Sequence, residues 1–217
     1  MTKIKRLGFI GDIHAEDQLL NLAIQFIKKQ QVDSIVSVGD IADGSGCINT
    51  CCTILQAEQV ITVAGNHDKW LLENDLRDLP QATQLAELSR SSYLFLKSLP
   101  KTHCLETIAG SLLLCHGLGK DDMEGIMPSD HGDSPKQIPE FQALVDENRY
   151  HFILNGHTHF KMVRQIEPFI IINAGTLKWA HGAGFALIDF SQNYVQFYEF
   201  YDKGHSIEKA EYRELLT

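Results

Sequence analysis

Arg6-Leu7-Gly8-Phe9-Ile10-Gly11-Asp12-Ile13-His14 sets the pattern of the chain: an apolar run of strand length stops at a glycine and delivers a carboxylate and an imidazole. A short, continuously apolar run bounded by a turn residue is the mark of a strand buried on both faces. The next segment, 15–30, places Leu19, Leu20, Ala23, Ile24, Phe26 and Ile27 at helical spacing. Asp17 stands near its start and Lys28 and Lys29 in its last turn, where each charge complements the helix dipole. The alternation then repeats. Residues 34–38 (SIVSV) read as a strand stopped at Gly39-Asp40, 48–58 as a helix, and 60–64 (VITVA) as a strand ending at Gly65. Strand and helix in turn predict βαβ units and a largely parallel sheet.

Outward from this core the pattern changes. Residues 69–99 are expected to be helical, with Pro80 opening a second helix and Pro100 stopping it. Residues 103–108 and 111–115 read as a hairpin about Ala109-Gly110, whose second strand ends at His116. The stretch 118–139 mixes glycine, proline, aspartate and methionine without a period and exceeds an ordinary connection, so it reads as a lid or substrate loop. A helix over 141–150 and a strand over 151–154 lead to Asn155-Gly156-His157-Thr158-His159. Strands over 162–166, 169–173, 184–190 and 193–200 predict a second, more antiparallel sheet, and 207–216 a terminal helix. Residues 1–217 are expected to form a single domain.

Composition narrows the function classes. A chain of 217 residues with 44% hydrophobic content can bury a core, which excludes a disordered chain or a disulfide-stapled mini-protein. Its 28 acidic against 19 basic residues give a net charge of -9, which argues against an extended nucleic-acid or anionic-lipid surface. No apolar run reaches transmembrane length, so no membrane partner and a cytoplasmic location are expected. The five cysteines (Cys47, Cys51, Cys52, Cys104, Cys115) form no CxxC pair and are odd in number, as free thiols in a reducing compartment would be. Cys47, Cys51 and Cys52 are expected to pack in the core.

Five strand ends carry a concentration of metal-capable side chains: Asp12 and His14; Asp40 and Asp43; Asn66, His67 and Asp68; His116; His157 and His159. Ligands of open α/β sheets bind beyond the carboxyl ends of strands, so these loops are expected to converge. Carboxylate, imidazole and amide donors without thiolate suit manganese, iron, nickel or catalytic zinc rather than a structural zinc. The donors outnumber the needs of one ion. Seven of them with solvent would serve two ions sharing one carboxylate, and two ions roughly 3.5–4 Å apart form the clamp used in phosphoryl chemistry.

The motifs resemble those of the calcineurin-like metallophosphoesterases. The family pattern D-x-H, G-D-x-x-D, G-N-H-D/E, H and G-H-x-H stands here in order as Asp12-Ile13-His14, Gly39-Asp40-Ile41-Ala42-Asp43, Gly65-Asn66-His67-Asp68, His116 and Gly156-His157-Thr158-His159. Asn173-Ala174-Gly175-Thr176 is similar to the family's late N-P-G-S loop, with alanine for proline. The resemblance implies an α/β fold of two mixed sheets packed face to face and flanked by helices. It also implies two divalent metal ions, manganese foremost. Asp12, His14 and His159 would hold the first, Asn66, His116 and His157 the second, and Asp40 would bridge them. A metal-bound hydroxide would attack phosphorus in line, while His67, oriented by Asp43, protonates the leaving group. The implied activity is hydrolysis of a small phosphodiester or phosphomonoester, nucleotides included.

Where phosphoprotein phosphatases of the superfamily carry arginine after the last aspartate of the second motif, this chain has Gly44. That removes a phosphate-gripping guanidinium and lowers the serine/threonine phosphatase alternative in favour of small prokaryotic phosphodiesterase-like members. Lys120, Lys178 and Arg164 are the candidates to compensate. An alternative of a different class is a metal-binding interaction module without turnover, like the family's retromer subunit, whose catalytic positions have degenerated; here every implied ligand and His67 are present. Outside the motifs, His131 and His181 are candidates to touch substrate, Trp179 to stack on a base, and His103, His151 and His205 are expected to be ordinary.

Overall fold

A computed structural model of the chain describes all residues except 1, 2, 76, 77, 80, 131, 133, 216 and 217. The strands are β1 (Arg6–Ile10), β2 (Ser34–Ser37), β3 (Ile61–Thr62), β4 (Thr102–Thr107), β5 (Gly110–Cys115), β6 (Phe152–Asn155), β7 (Lys161–Ile166), β8 (Phe169–Ala174), β9 (Gly184–Asp189), β10 (Tyr194–Tyr201) and β11 (Ser206–Glu214). The helices are α1 (Asp17–Lys28), α2 (Ile48–Ala57), α3 (Asn66–Leu72), α4 (Arg90–Ser98) and α5 (Pro139–Glu147). One sheet runs β11-β10-β9-β1-β2-β3 and the other β4-β5-β6-β8-β7. Both are mixed: β1-β2-β3 and β5-β6-β8 are parallel, and the remaining neighbours are antiparallel.

The two-residue period of a strand sorts its side chains between layers. Leu7 and Phe9 of β1 face the inter-sheet core with Val36, Phe197, Leu112, Leu114, Phe152, Leu154 and Ile172. Ile10 points the other way, into the layer that packs Leu20, Ile24 and Ile27 of α1 and Cys51 and Leu55 of α2. Leu113, Ile153 and Ile171 face outward from the second sheet against Phe141 and Leu144 of α5. The result is the helix, sheet, sheet, helix layering that the motifs imply.

Three expectations are corrected. The C-terminal strands do not all form the second sheet: β9 pairs antiparallel with β1 and brings β10 and β11 into the first. Its six residues are all buried, which only an interior position satisfies, and local pattern does not say which sheet provides one. The terminal helix is strand β11, paired from Tyr201↔Ser206 to Tyr194↔Glu214. Helix-favouring Glu208, Lys209 and Ala210 are exposed there, and pairing with the otherwise open edge of β10 overrides their propensity. Within the run 69–99, expected to be helical, α3 ends at Leu72 and α4 begins at Arg90, with a short 3-10 turn at Leu85–Glu87 between them. Asn74, in a left-handed conformation (φ 55°), follows α3, and Ser89 caps α4 by accepting the Ser92 N–H. Pro80 lies outside the described residues.

Of the cysteines expected to pack, Cys51 and Cys52 are buried, whereas Cys47, just before α2, is exposed. The loop 118–139 carries Leu118 and Ile126 into the layer under α5, so it is pinned at these points.

Phe9→Ala, between the sheets, is expected to cost about 3–5 kcal/mol in urea unfolding. Tyr212→Ala, on the exposed side of β11, should cost under about 1 kcal/mol.

Candidate metal centre

All five sequence-predicted loops leave the carboxyl ends of parallel strands: Asp12 and His14 after β1, Asp40 and Asp43 after β2, Asn66 and His67 after β3, His116 after β5, and His157 and His159 after β6. The late loop after β8 closes the ring. Asp12 donates its backbone N–H to the Gly175 carbonyl, and its own carbonyl accepts from the Leu177 N–H and the Thr176 hydroxyl. Asn173 Nδ2 donates to the Gly156 carbonyl at 2.8 Å, steadying the turn that bears His157 and His159. The ends of both sheets are thus laced together where the polar side chains point inward.

The donor atoms gather in two overlapping groups. Asp12, His14 and His159 form one and Asp12, Asp40 and His116 the other, each with its ligand atoms within 4.8 Å of one another. In the first, His14 Nε2 and His159 Nε2 face each other at 3.0 Å. His14 Nδ1 donates to the carbonyls of Asp43 (3.0 Å) and Ala42 (3.2 Å), leaving the Nε2 lone pair inward. Beside the second group, Asn66 Oδ1 lies 2.8 Å from His116 Nε2 and 3.0 Å from His157 Nδ1. His116 Nδ1 donates to the Val38 carbonyl at 2.8 Å, tying a second-sheet residue to the first sheet. Asp40 Oδ2, in the second group, lies 3.3 Å from His116 Nε2 and 4.0 Å from His14 Nε2 of the first.

The electrostatics follow from burial. Removal from water pushes the Asp12 carboxyl up to about 7 against the opposing pull of His116. Burial also pushes Asp40 up, but the neighbouring His116, His67 and His14 outweigh it and hold it below the ordinary carboxylate range. Burial pulls His116 down, yet the Asp40 and Asp12 carboxylates win and carry it to about 10. Burial lowers His14 to about 4 and His159 to about 3, leaving both neutral, with lone pairs to offer, near neutral pH. Buried negative charge of this kind attracts a positive one, as a proton on His116 or as a cation.

The residues fit a metal. Asp12 Oδ1 accepts the His157 backbone N–H at 3.0 Å, but Oδ2 is buried with no hydrogen-bond partner. Such an atom ordinarily costs more than 1 kcal/mol, a cost that a bound cation removes. Two imidazole nitrogens facing each other across 3.0 Å pose the same demand.

His67 lies at the rim, with Nδ1 2.5 Å from Asp43 Oδ2 and Nε2 3.9 Å from Asp40 Oδ2. The Trp70 ring packs against it at 4.9 Å. Asp68 does not hold His67. Its buried carboxylate accepts the backbone N–H groups of Ile41, Ala42 and Gly65, locking the second motif to the third. A cavity of about 460 Å³ opens over His14, Asp43, His67 and His159, with Leu79, Gln81 and Lys178 as its other walls.

Of the three compensating cations, Lys178 reaches this cavity. Arg164 donates to the carbonyls of Met127 and Asp130 at 2.7 Å each and so clasps the long loop. Exposed Lys120 borders a different cavity, with Tyr150 and Glu147. His131 lies outside the described residues. Sequence reasoning missed Thr83, whose backbone N–H and hydroxyl bracket Asp43. It also missed the contact of His181 Nδ1 with His159 Nδ1 at 2.7 Å. Neither sits in a motif, and the only available signal was that the chain around each lacks regular periodicity.

The calcineurin-like phosphoesterase superfamily domain matches residues 6–193. The chain belongs to that superfamily. Solved structures of similar fold include a hypothetical protein of Pyrococcus horikoshii (TM-score 0.72, 16% identity, covering 89% of this chain and 87% of that one). A metallophosphoesterase of Sphaerobacter thermophilus aligns with TM-score 0.63 at 22% identity, over 96% of this chain and 89% of that one. Vacuolar protein sorting 29 of Cryptosporidium parvum aligns with TM-score 0.60 at 16% identity, over 98% and 100%. At these identities the likeness is one of fold.

Gly44 has a steric reason beyond the superfamily comparison: a Cβ there would run into the carbonyl oxygen of His14. Gly44→Ala and Gly44→Arg are therefore both expected to lower stability and metal content, measured by thermal unfolding and elemental analysis. Asp68→Ala, which orphans three buried N–H groups, should cost at least about 3 kcal/mol.

Proposed function

We propose that the chain is a metal-dependent phosphoesterase with a dinuclear centre, acting on a small phosphodiester or phosphomonoester, nucleotides included. The observation that carries this reading is the pair of donor groups that share the buried Asp12 carboxylate beneath a rim imidazole. Asp12, His14 and His159 would hold one ion, and Asn66, His116 and His157 the other. The position of Asp40 Oδ2 between His116 and His14 supports its role as the bridge. Manganese is the metal we favour, with iron, nickel or zinc acceptable to the same donors.

When bound, the ions would supply Lewis acidity that activates water and neutralises phosphoryl oxygens. The chain's own residues do the rest. Asp43 accepts the Nδ1–H of His67, fixing the ring and stabilising its protonated form, so that Nε2 can give a proton to the departing oxygen. Lys178 offers the cavity a cation for a non-bridging phosphoryl oxygen. The loop 118–139 approaches the centre at Gly125, where a Cβ would sit 3.5 Å from the His157 ring, which supports a substrate-contacting role within a single domain.

The phosphoprotein phosphatase alternative is weakened by the close approach of Gly44 to His14, which leaves no room for an arginine there. The interaction-module alternative gives no purpose to the His67–Asp43 pair. Five free cysteines support a reducing, cytoplasmic setting. Among the described residues no helix is long and apolar enough to cross a membrane.

Metal-stripped protein refilled in turn with manganese, nickel, zinc or magnesium is expected to cleave a chromogenic phosphodiester or its monoester, and only when refilled. No turnover of either by metal-loaded protein would favour the interaction module. His67→Ala should keep its metal content and lose roughly 10²–10⁴-fold in kcat on an alkyl leaving group, with a smaller loss on nitrophenolate. Asp40→Asn should lower the content of both ions.

A further inference from the structure

The proposed ligand histidines differ in what holds the ring from outside. His116 Nδ1 meets the Val38 carbonyl, and His14 Nδ1 the carbonyls of Asp43 and Ala42. A carbonyl only accepts, so in both rings Nδ1 carries a proton and Nε2 faces inward. His159 meets a side chain instead, the Nδ1 of His181 at 2.7 Å, with the two rings 4.9 Å apart. His181 is exposed, lies outside every motif, and sits on the short helical turn Trp179–His181.

That turn is rooted in the centre itself. Thr176 and Leu177, immediately before it, bind the backbone carbonyl of Asp12. The Lys178 carbonyl accepts the His181 N–H at 3.0 Å, and the Trp179 carbonyl accepts the Gly182 N–H at 3.2 Å. Gly182 closes the turn in the left-handed region (φ 80°). The chain that clamps Asp12 therefore also presents a ring nitrogen to His159, and both belong to the same donor group.

We propose that His181 is the positioning residue of His159. Its Nδ1 accepts the Nδ1–H of His159 while its own proton sits on Nε2. This fixes the tautomer and ring plane that aim His159 Nε2 at His14 Nε2 and Asp12. His181 touches neither ion nor substrate; it acts through His159 on the first ion alone. The inference rests on the two-ion reading above. A ligand imidazole held only by water would sample other orientations and bind metal less tightly.

The test is calorimetric titration of the metal-stripped full chain with Mn²⁺ alone. Wild type is expected to take two equivalents. His181→Ala should weaken one binding step about 10- to 100-fold and leave the other within about threefold, and His181→Asn, whose amide oxygen can accept the same hydrogen bond, should recover most of the loss. Thermal unfolding of the metal-free variants is expected to match wild type, which separates positioning from a folding defect. Wild-type affinities in His181→Ala, equal weakening of both steps, or no recovery in His181→Asn would each overturn the proposal. A wild-type stoichiometry of one would sink the two-ion reading instead, and the ratio of His181→Ala to wild-type affinity for that single ion would still decide the role of His181.

Discussion

Two carboxylates, Asp12 and Asp40, are buried at the seam where the two sheets meet, and the surrounding structure answers the cost of keeping negative charge out of water there. Three imidazoles come within 4.0 Å of the Asp40 carboxylate. Backbone donors and the late loop hold Asp12 from both sides. The raised Asp12 carboxyl, the raised His116 and the lowered His14 and His159 are expressions of one condition, charge without solvent. Buried carboxylates beside neutral imidazoles are donors of the kind that could hold a metal ion.

The backbone pays part of the cost. His14, Ala15, Asp40, Asp43, His157 and His159 all have φ between 46° and 67°, in the left-handed region that non-glycine residues seldom occupy. Each such residue stores strain of order 1–3 kcal/mol, and the set persists because packing overdetermines it. Asp68 is the main restraint, pinning the Asp40 to Asp43 turn to the start of α3 through three backbone donors. Strain of this kind turns consecutive side chains of one loop to the same point, which an extended chain with its alternating faces does not do. The close passage of Gly44 against His14 belongs to this arrangement: the turn is folded so tightly on the first loop that no side chain fits.

The metal-capable donors and the cavity walls then sit on different parts of the molecule. The donor set rests on the ends of buried strands, rigid and laced across both sheets. The cavity walls come from irregular chain, with Leu79 and Gln81 between α3 and α4 and Lys178 on the late loop. Arg164 reinforces this division by clasping the long loop rather than facing the cavity. Loops vary at little cost to a core, so walls of different shape can stand over the same strand ends.

Read by itself, the sequence determined the parallel strands β1 to β3, helices α1 and α2, the β4–β5 hairpin and the strand ends at which Asp12, His14, Asp40, Asn66, His67, His116, His157 and His159 stand. Their apolar runs, helical periods and glycine stops are local, and local physics produces them. The motifs also carried the family, because order and spacing survive in one dimension. Tertiary structure alone decided that β9 returns to β1, that 206–214 is a strand, and that Leu79 and Gln81 are cavity wall rather than helix. It alone brought Thr83 to Asp43 and His181 to His159, and took Arg164 away from the centre. These outcomes rest on contacts between segments far apart in the chain, where pairing an open sheet edge or satisfying a buried donor outweighs local preference by amounts that no window of sequence contains.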